Sequence, residues 1–352
     1  MPRLSIFLLS TLACGDNVGA EWLVLDRSEA AGVTFEDVSV VGDVAFAVGA
    51  RDAARGAVLV IDGDTWTAID SPDLPPLVGV HAAAEDDVWA VASYVEDVPD
   101  SLLWHWDGAT WTHVDLPSGA TYVQDVWGTA PDDVLATAND ASQTAVLLRW
   151  DGTTWIEDGA ARAVYPPDGK EYAVDLTVGC SESRDDVWVA SAVLPFLDGF
   201  AGTIHFDGSQ WENRSWLPSD QSSGINDIAC GAGGPWSIGS NDLFEEDAIA
   251  RWDRTEWVLV PLLDPVGYPY QAAISAAGDD VWIAGHDRLE GEDSVAAQIW
   301  RLTEKGFVAT VSEEIRFDTR FYLPVLRAIG QLASGRVLAF GMNGLVLDRP
   351  AR

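Results

Sequence analysis

The chain is poor in positive charge. Its 352 residues include 20 lysines and arginines against 56 aspartates and glutamates, a formal net charge of −36. A nucleic-acid partner needs lysine and arginine to displace the counterions of its phosphates, and an anionic membrane surface makes the same demand. The balance argues against both and favours cations or basic partners. Methionine (2), cysteine (3) and histidine (5) are also scarce. The few histidines form no His-Glu-x-x-His pair and no Ser-His-Asp order, and the chain carries neither a Walker loop nor a dinucleotide fingerprint. No catalytic residue and no organic cofactor is therefore expected. Past its first residues, the chain has no apolar stretch long enough to span a bilayer.

Tryptophan (17) and glycine (32) are abundant, and their order is regular. Trp22, Trp66, Trp111, Trp155, Trp211, Trp257 and Phe307 recur at intervals of about 44 to 56 residues. All but the first follow a tight turn, as in IDGDTW, WDGATW, WDGTTW, FDGSQW and WDRTEW. A second marker also occurs seven times: DVAF from Asp43, DDVW from Asp86, DDVL from Asp132, DDVW from Asp185, GGPW from Gly233, DDVW from Asp279 and GRVL from Gly335. A period near 40–45 residues, with four short strands in each, predicts a β-propeller. One such unit leaves both faces of its sheet bare, and stacking between two neighbours covers them. The last unit ends after three strands, and Glu21-Trp22-Leu23-Val24-Leu25-Asp26 matches its missing fourth. The expectation is an all-β, seven-bladed propeller over residues 21–352. Its four-stranded antiparallel blades close when the N-terminal strand completes the last one, which removes two exposed sheet edges.

The turns before the tryptophans, Asp62-Gly63-Asp64-Thr65-Trp66, Asp107-Gly108-Ala109-Thr110-Trp111 and Asp151-Gly152-Thr153-Thr154-Trp155, resemble Asp-box (sialidase-type, BNR-like) repeats. The chain departs from that pattern: Asp and Gly are adjacent and the leading Ser is absent. The resemblance implies a structural turn, with Asp as its cap and Trp packed between blades. It does not imply sialidase activity, because the arginine cluster and the Tyr/Glu pair of that family are not found here. The paired aspartates (Asp86/Asp87, Asp132/Asp133, Asp185/Asp186, Asp279/Asp280) precede the second strand of their units, where Asp favours a turn. His105 and His205 share a third-strand slot that Arg149 and Arg251 fill elsewhere, a polar position on the blade face.

Residues 1–20 read as a leader and short tether. Arg3 precedes an apolar run too short to span a bilayer, as in an export signal. Cys14 follows it, and the segment resembles a bacterial lipoprotein signal, which implies lipidation of Cys14. Cleavage after Ala20 is the competing reading, and it gives a secreted protein. With a lipid on Cys14, the tether to Trp22 reaches ~25–30 Å. The expected location is then the cell envelope, in the outer membrane or periplasm, with that lipid as the only membrane contact.

Export would make Cys180 and Cys230 a candidate disulfide. They occupy matching points of the first strands of units four and five, and an oxidising compartment favours pairing; two buried thiols are the alternative. Two acidic clusters in the loops, Glu245-Glu246-Asp247 and Glu290, Glu292 and Asp293, are weak candidates for calcium, although no EF-hand loop is present.

Alternate connections meet on one face of such a ring. The a–b and c–d turns are short and uniform, whereas the b–c and d–a loops are long and varied. Loops on a rigid scaffold tend to carry function. The varied face offers Tyr94, Phe196, Phe200, Tyr268, Tyr270, Phe321 and Tyr322 among carboxylates. The chain resembles exported bacterial propeller repeat proteins, and the expected function is a monomeric, non-catalytic binding scaffold for a protein or glycan. The alternative is a carbohydrate-active hydrolase or lyase with two carboxylates near the channel.

Overall fold

The computed structural model describes residues 22–69, 74–93, 103–117, 120–140, 142, 144–164, 175–192, 202–215, 223–231, 233–241, 246–263, 268–288, 294–311, 316–318 and 325–351. They form seven small antiparallel sheets, a seven-bladed β-propeller. Within each blade the strands are a to d, counted outward from the axis. Strands a are Thr34–Val41, Leu77–Ala84, Ala120–Ala130, Asp175–Ser183, Ser223–Ala229, Tyr268–Ala277 and Leu326–Gln331 for blades one to seven. Blade seven is built from Leu326–Gln331, Val337–Gly341, Val346–Arg349 and, as strand d, Leu23–Val24 from the other end of the chain. Leu23 pairs with Asp348 and Val24 with Leu347. Trp22 fixes this closure: its indole packs edge-on against Trp282 of blade six, and its Nε1 donates to Thr310 Oγ1.

Strand b lies mid-sheet with a neighbouring blade on each face. Its residues are therefore apolar without alternation, as in Val44–Ala50, where all but the last are buried. Tryptophans fill the wedges between blades. Trp89 of blade two meets Trp150 and Trp155 of blade three, and Trp188 of blade four meets Trp252 and Trp257 of blade five. Large aromatic rings suit such wedges because each buries much apolar surface.

The paired aspartates divide their labour. In three of the four pairs the first aspartate backs the c–d turn. Gly108, Gly152 and Gly208 have φ of +87°, +92° and +88°, and a Cβ on them would come within 2.8–3.0 Å of the Cβ of Asp86, Asp132 and Asp185. The second bonds to strand c: Asp87 to the His105 ring and Asp186 to the His205 ring by hydrogen bonds, Asp133 to Arg149 and Asp280 to Arg301 as ion pairs. The shared histidine slot is thus more than a polar surface position. His105 and His205 also lie over Trp89 and Trp188, at 4.2 and 4.1 Å between ring centroids.

The turn aspartates act as caps. Asp107, Asp151, Asp207 and Asp253 each accept backbone N–H bonds from the second and third residues after them. These bonds and the adjacent hydroxyls favour the charged form and hold all four carboxyls below the usual range, Asp207 at about 2.

Three features differ from the sequence expectation. Glu246 and Asp247 belong to strand c of blade five (Glu246–Trp252) rather than to a loop, because the ladder with Trp236–Asn241 runs on to Glu246. The connection after blade three contains a short helix, Gly159–Val164, whose first N–H groups are capped by Asp158. Blade six gains a fifth strand, Arg316–Asp318, on strand c.

Candidate functional site

Strand a is the inner edge of every blade, and each one carries a β-bulge. The register against strand b skips one residue in all seven: Glu36, Val78, Gln124, Thr177, Asn226, Ala272 and Arg327. A bulge inserts an unpaired residue and bends the strand. Seven of them at equivalent points form a collar around the axis, in the part of strand a that follows the d–a loops. The glycine facing the bulge in blades one, six and seven is required sterically. A Cβ on Gly49, Gly285 or Gly341 would lie about 2 Å from the carbonyl oxygen of Thr34, Tyr270 or Val325.

On one side of the collar the channel opens into a cavity of about 370 Å³, lined by Glu36, Asn226, Tyr270, Ala272 and Arg327. Four of these five are bulge residues, from blades one, five, six and seven. Arg327 holds both carboxylate oxygens of Glu36 across the seam where the ring closes. Burial nonetheless outweighs the guanidinium and leaves the Glu36 carboxyl above its usual range. Asn226 donates its Nδ2 to the carbonyl of Gln271, 3.2 Å away. Tyr270 is 38 % exposed and stacks on His286 at 5.1 Å between centroids. Val78, at the same level in blade two, is 39 % exposed.

One residue further along strand a lie three carboxylates, in alternate blades. Asp37 Oδ2 accepts from Val80 N–H of blade two, Asp125 Oδ2 from Gly179 N–H of blade four, and Asp227 Oδ2 from Ile274 N–H of blade six, at 2.8, 2.9 and 2.8 Å. The other oxygen of each accepts from the residue that follows it, Val38, Val126 or Ile228. An inner edge strand leaves backbone N–H groups without a ladder partner, and these carboxylates supply one. Burial and mutual repulsion penalise their charge. Asp37 is pushed up to about 6 by burial against its two N–H bonds, with Glu36 adding repulsion. Asp227 is pushed up to about 7 by burial and by the charge of Asp37. Asp125, facing both other carboxylates, lies well above the usual range.

The other seams are held differently. A disulfide joins Cys180, in strand a of blade four, to Cys230, just past the end of strand a of blade five. Gln331 Nε2 of blade seven donates to the carbonyls of Ser275 and Asp280 in blade six. His81 lies between blades two and three, beside Gly128. Burial lowers the His81 imidazole to about 4, and it does the same to His286.

Of the aromatics expected on the varied face, the structure places Tyr270 at the channel mouth. The backbone of Tyr268 starts the same strand, and its side chain lies outside the described set. Tyr94, Phe196, Phe200, Phe321 and Tyr322 lie outside the described residues, as do Cys14, Glu245, Glu290, Glu292 and Asp293. Among the described residues, no group of three or more His, Cys, Asp or Glu is arranged to hold a metal ion, and no helix is long and apolar enough to cross a membrane. The sequence reading missed Glu36, Arg327 and the three channel aspartates. Their signal was present in Glu36-Asp37-Val38, Gln124-Asp125-Val126 and Asn226-Asp227-Ile228, a polar residue and an aspartate set into apolar strands at the same point of blades one, three and five.

No protein-family model matches the chain, and no curated protein matches it. Solved structures do. The chain is similar to YCF48 bound to D1 peptide, at a TM-score of 0.59 and 13 % identity, over 94 % of this chain and 97 % of that one. It is similar to the WD40 β-propeller domain of Doa1, at 0.56 and 11 %, over 94 % and 96 %. It is also similar to a family 74 glycoside hydrolase, the xyloglucanase from Xanthomonas campestris, at 0.53 and 12 %, over 80 % of this chain and 48 % of that one. At these identities the likeness is one of fold alone.

Proposed function

We propose that the chain is a non-catalytic binding module that holds a peptide segment of a protein partner at the channel mouth on its varied face. The observation that carries this reading is the cavity between Glu36, Asn226, Tyr270 and Arg327, set on the inner strands of four consecutive blades. Rigid strands position its walls, and exposed Tyr270 and Val78 provide apolar contact at the rim. A propeller of the same fold, YCF48, is known with a bound peptide, which supports the reading by analogy.

The test is selection of displayed random peptides on the full chain, followed by affinity measurement against Tyr270→Ala and Val78→Ser. The expected result is a set of peptides that lose tenfold or more in affinity with either substitution. Peptides indifferent to both would place binding elsewhere and remove this reading.

A second reading, glycoside hydrolysis, draws on one observation. Asp227, at about 7, has the elevated pKa that suits a general acid. Its two oxygens are committed to backbone N–H groups, which favours a structural role. Activity on a polysaccharide that disappears in Asp227→Asn and in Glu36→Gln would establish the catalytic alternative.

We also propose that the protein is exported and held at the cell envelope by a lipid on Cys14. The leader supports this, and the disulfide fits an oxidising compartment. Mass spectrometry of the mature N-terminus checks it: a lipid-modified Cys14 is expected, and a chain beginning at Glu21 would show plain secretion.

A further inference from the structure

The walls of the mouth cavity offer acceptors and a π face. Asn226 uses one amide hydrogen on the carbonyl of Gln271, and its side-chain oxygen is an acceptor for a ligand. Tyr270 borders the cavity with its ring held flat by the stack on His286, and a tyrosine ring attracts cations through its quadrupole. Among the described residues the one cation in the wall is Arg327, and its charge is balanced by Glu36. One residue deeper are Asp37, Asp125 and Asp227. Among the described residues none of the three has a cationic partner, and the only groups that favour their charge are backbone N–H donors. Blade two supplies Gly79 at this level. A Cβ there would lie 3.8 Å from Asp125 Oδ1, so no side chain from this blade shields that carboxylate. Among the described residues no cation answers these carboxylates, and their negative field grows as they ionise, in a chain whose formal charge is already −36.

We propose that the mouth recognises a lysine or arginine side chain of the partner peptide, its cationic head lying against Tyr270 and the Asn226 oxygen, above the three channel carboxylates. This rests on the reading of the mouth as a peptide site, and it names the chemistry that the site selects. A metal ion fits less well. Each channel carboxylate has both oxygens turned to backbone donors, whereas a cation on a long side chain needs the field and the ring rather than a converging ligand set. Ionisation of the carboxylates strengthens the field, so cation binding and proton release are coupled.

The experiment is a comparison of matched peptides. Peptides selected on the full chain are resynthesised with each lysine replaced by norleucine and each arginine by citrulline, and titrated calorimetrically in two buffers of different ionisation enthalpy. One basic position is expected to account for a tenfold or larger loss. That loss should shrink severalfold in Tyr270→Leu but persist in Tyr270→Phe. Affinity for the basic peptide should rise between pH 6 and pH 8 with release of protons, and Asp227→Asn should flatten that rise. If peptides bind in a Tyr270-dependent manner but tolerate norleucine and citrulline throughout, the cation proposal is overturned and the peptide site stands. If basic peptides bind equally well to wild type and Tyr270→Leu, the attraction is diffuse and the proposal also fails. If no selected peptide depends on the mouth, both readings fall.

Discussion

Arg336 and Asp348 form the same ion pair as Asp280 and Arg301, with the charges exchanged. Arg336 precedes strand b of blade seven, where other blades carry the second aspartate of a pair. Asp348 takes the strand c slot filled elsewhere by histidine or arginine. The two side chains retain only 13 % and 9 % of their exposure, so loss of one partner strands a largely buried charge. Arg336→Asp is expected to cost about 3–5 kcal/mol. The double variant Arg336→Asp/Asp348→Arg should recover most of it, leaving the loss of the Arg336 bond to the Gly63 carbonyl. Chemical denaturation of the three proteins checks this.

The channel carboxylates give stability a defined pH dependence. Their folded pKa values lie above the unfolded value near 3.8: Asp37 at about 6, Asp227 at about 7, and Asp125 well above it. Their contribution is full below the unfolded pKa and is lost as pH rises through the folded one. His81 and His286 act in the opposite sense. Their folded values of about 4 lie below 6.5, so they destabilise as pH falls from 6.5 toward 4. The histidines are silent above pH 7, so the carboxylates show alone there. Acidification from pH 8 to pH 7 should raise stability by roughly half a kcal/mol. Asp227→Asn should flatten that slope whatever its effect on absolute stability. A melting series in matched buffers measures it.

The disulfide closes a loop of 50 residues between blades four and five. Chain-entropy arithmetic assigns such a crosslink about 4 kcal/mol. Cys180→Ser/Cys230→Ser should melt several degrees lower, and a reducing agent should lower the melting temperature of the wild type while leaving the double variant unchanged.

Gly108→Ala should cost about 1–3 kcal/mol. It combines a φ of +87° with a Cβ only 2.8 Å from that of Asp86. Gly42→Ala is the control, since it shares a positive φ of +60° and has no atom within 4 Å of the added Cβ. A smaller loss at Gly42 would separate the close approach of the two turns from backbone strain alone. Differential scanning calorimetry of both variants decides it.

The architecture was legible because two markers, Asp-x-x-x-Trp turns and Asp-Asp-Val-Trp strand starts, report local chemistry that repeats in register with the fold. The pairing of the two ends was legible for the same reason: Glu21-Trp22-Leu23-Val24 carries the strand d pattern missing from blade seven. The site was not read in the same way. Glu36 and Arg327 lie 291 positions apart in sequence and meet only when the ring shuts. A bulge leaves no pattern in a single strand, because it is a property of register against the neighbour. The channel aspartates did leave a pattern, but an aspartate beside a valine in a strand reads as a solvent-facing residue until that strand is known to be the inner edge. Tyr270 was expected on the varied face for its aromatic character, and the structure adds the wall it belongs to.

The carboxylate clasps join blade one to two, three to four, and five to six. Seven is odd, so pairing of this kind always leaves one blade over, and the remainder is the blade assembled from both ends of the chain. The ring is therefore three coupled doublets and a keystone. Tension applied between the termini would act first on the two-residue strand of that keystone, and the disulfide between blades four and five would keep the second and third doublets together.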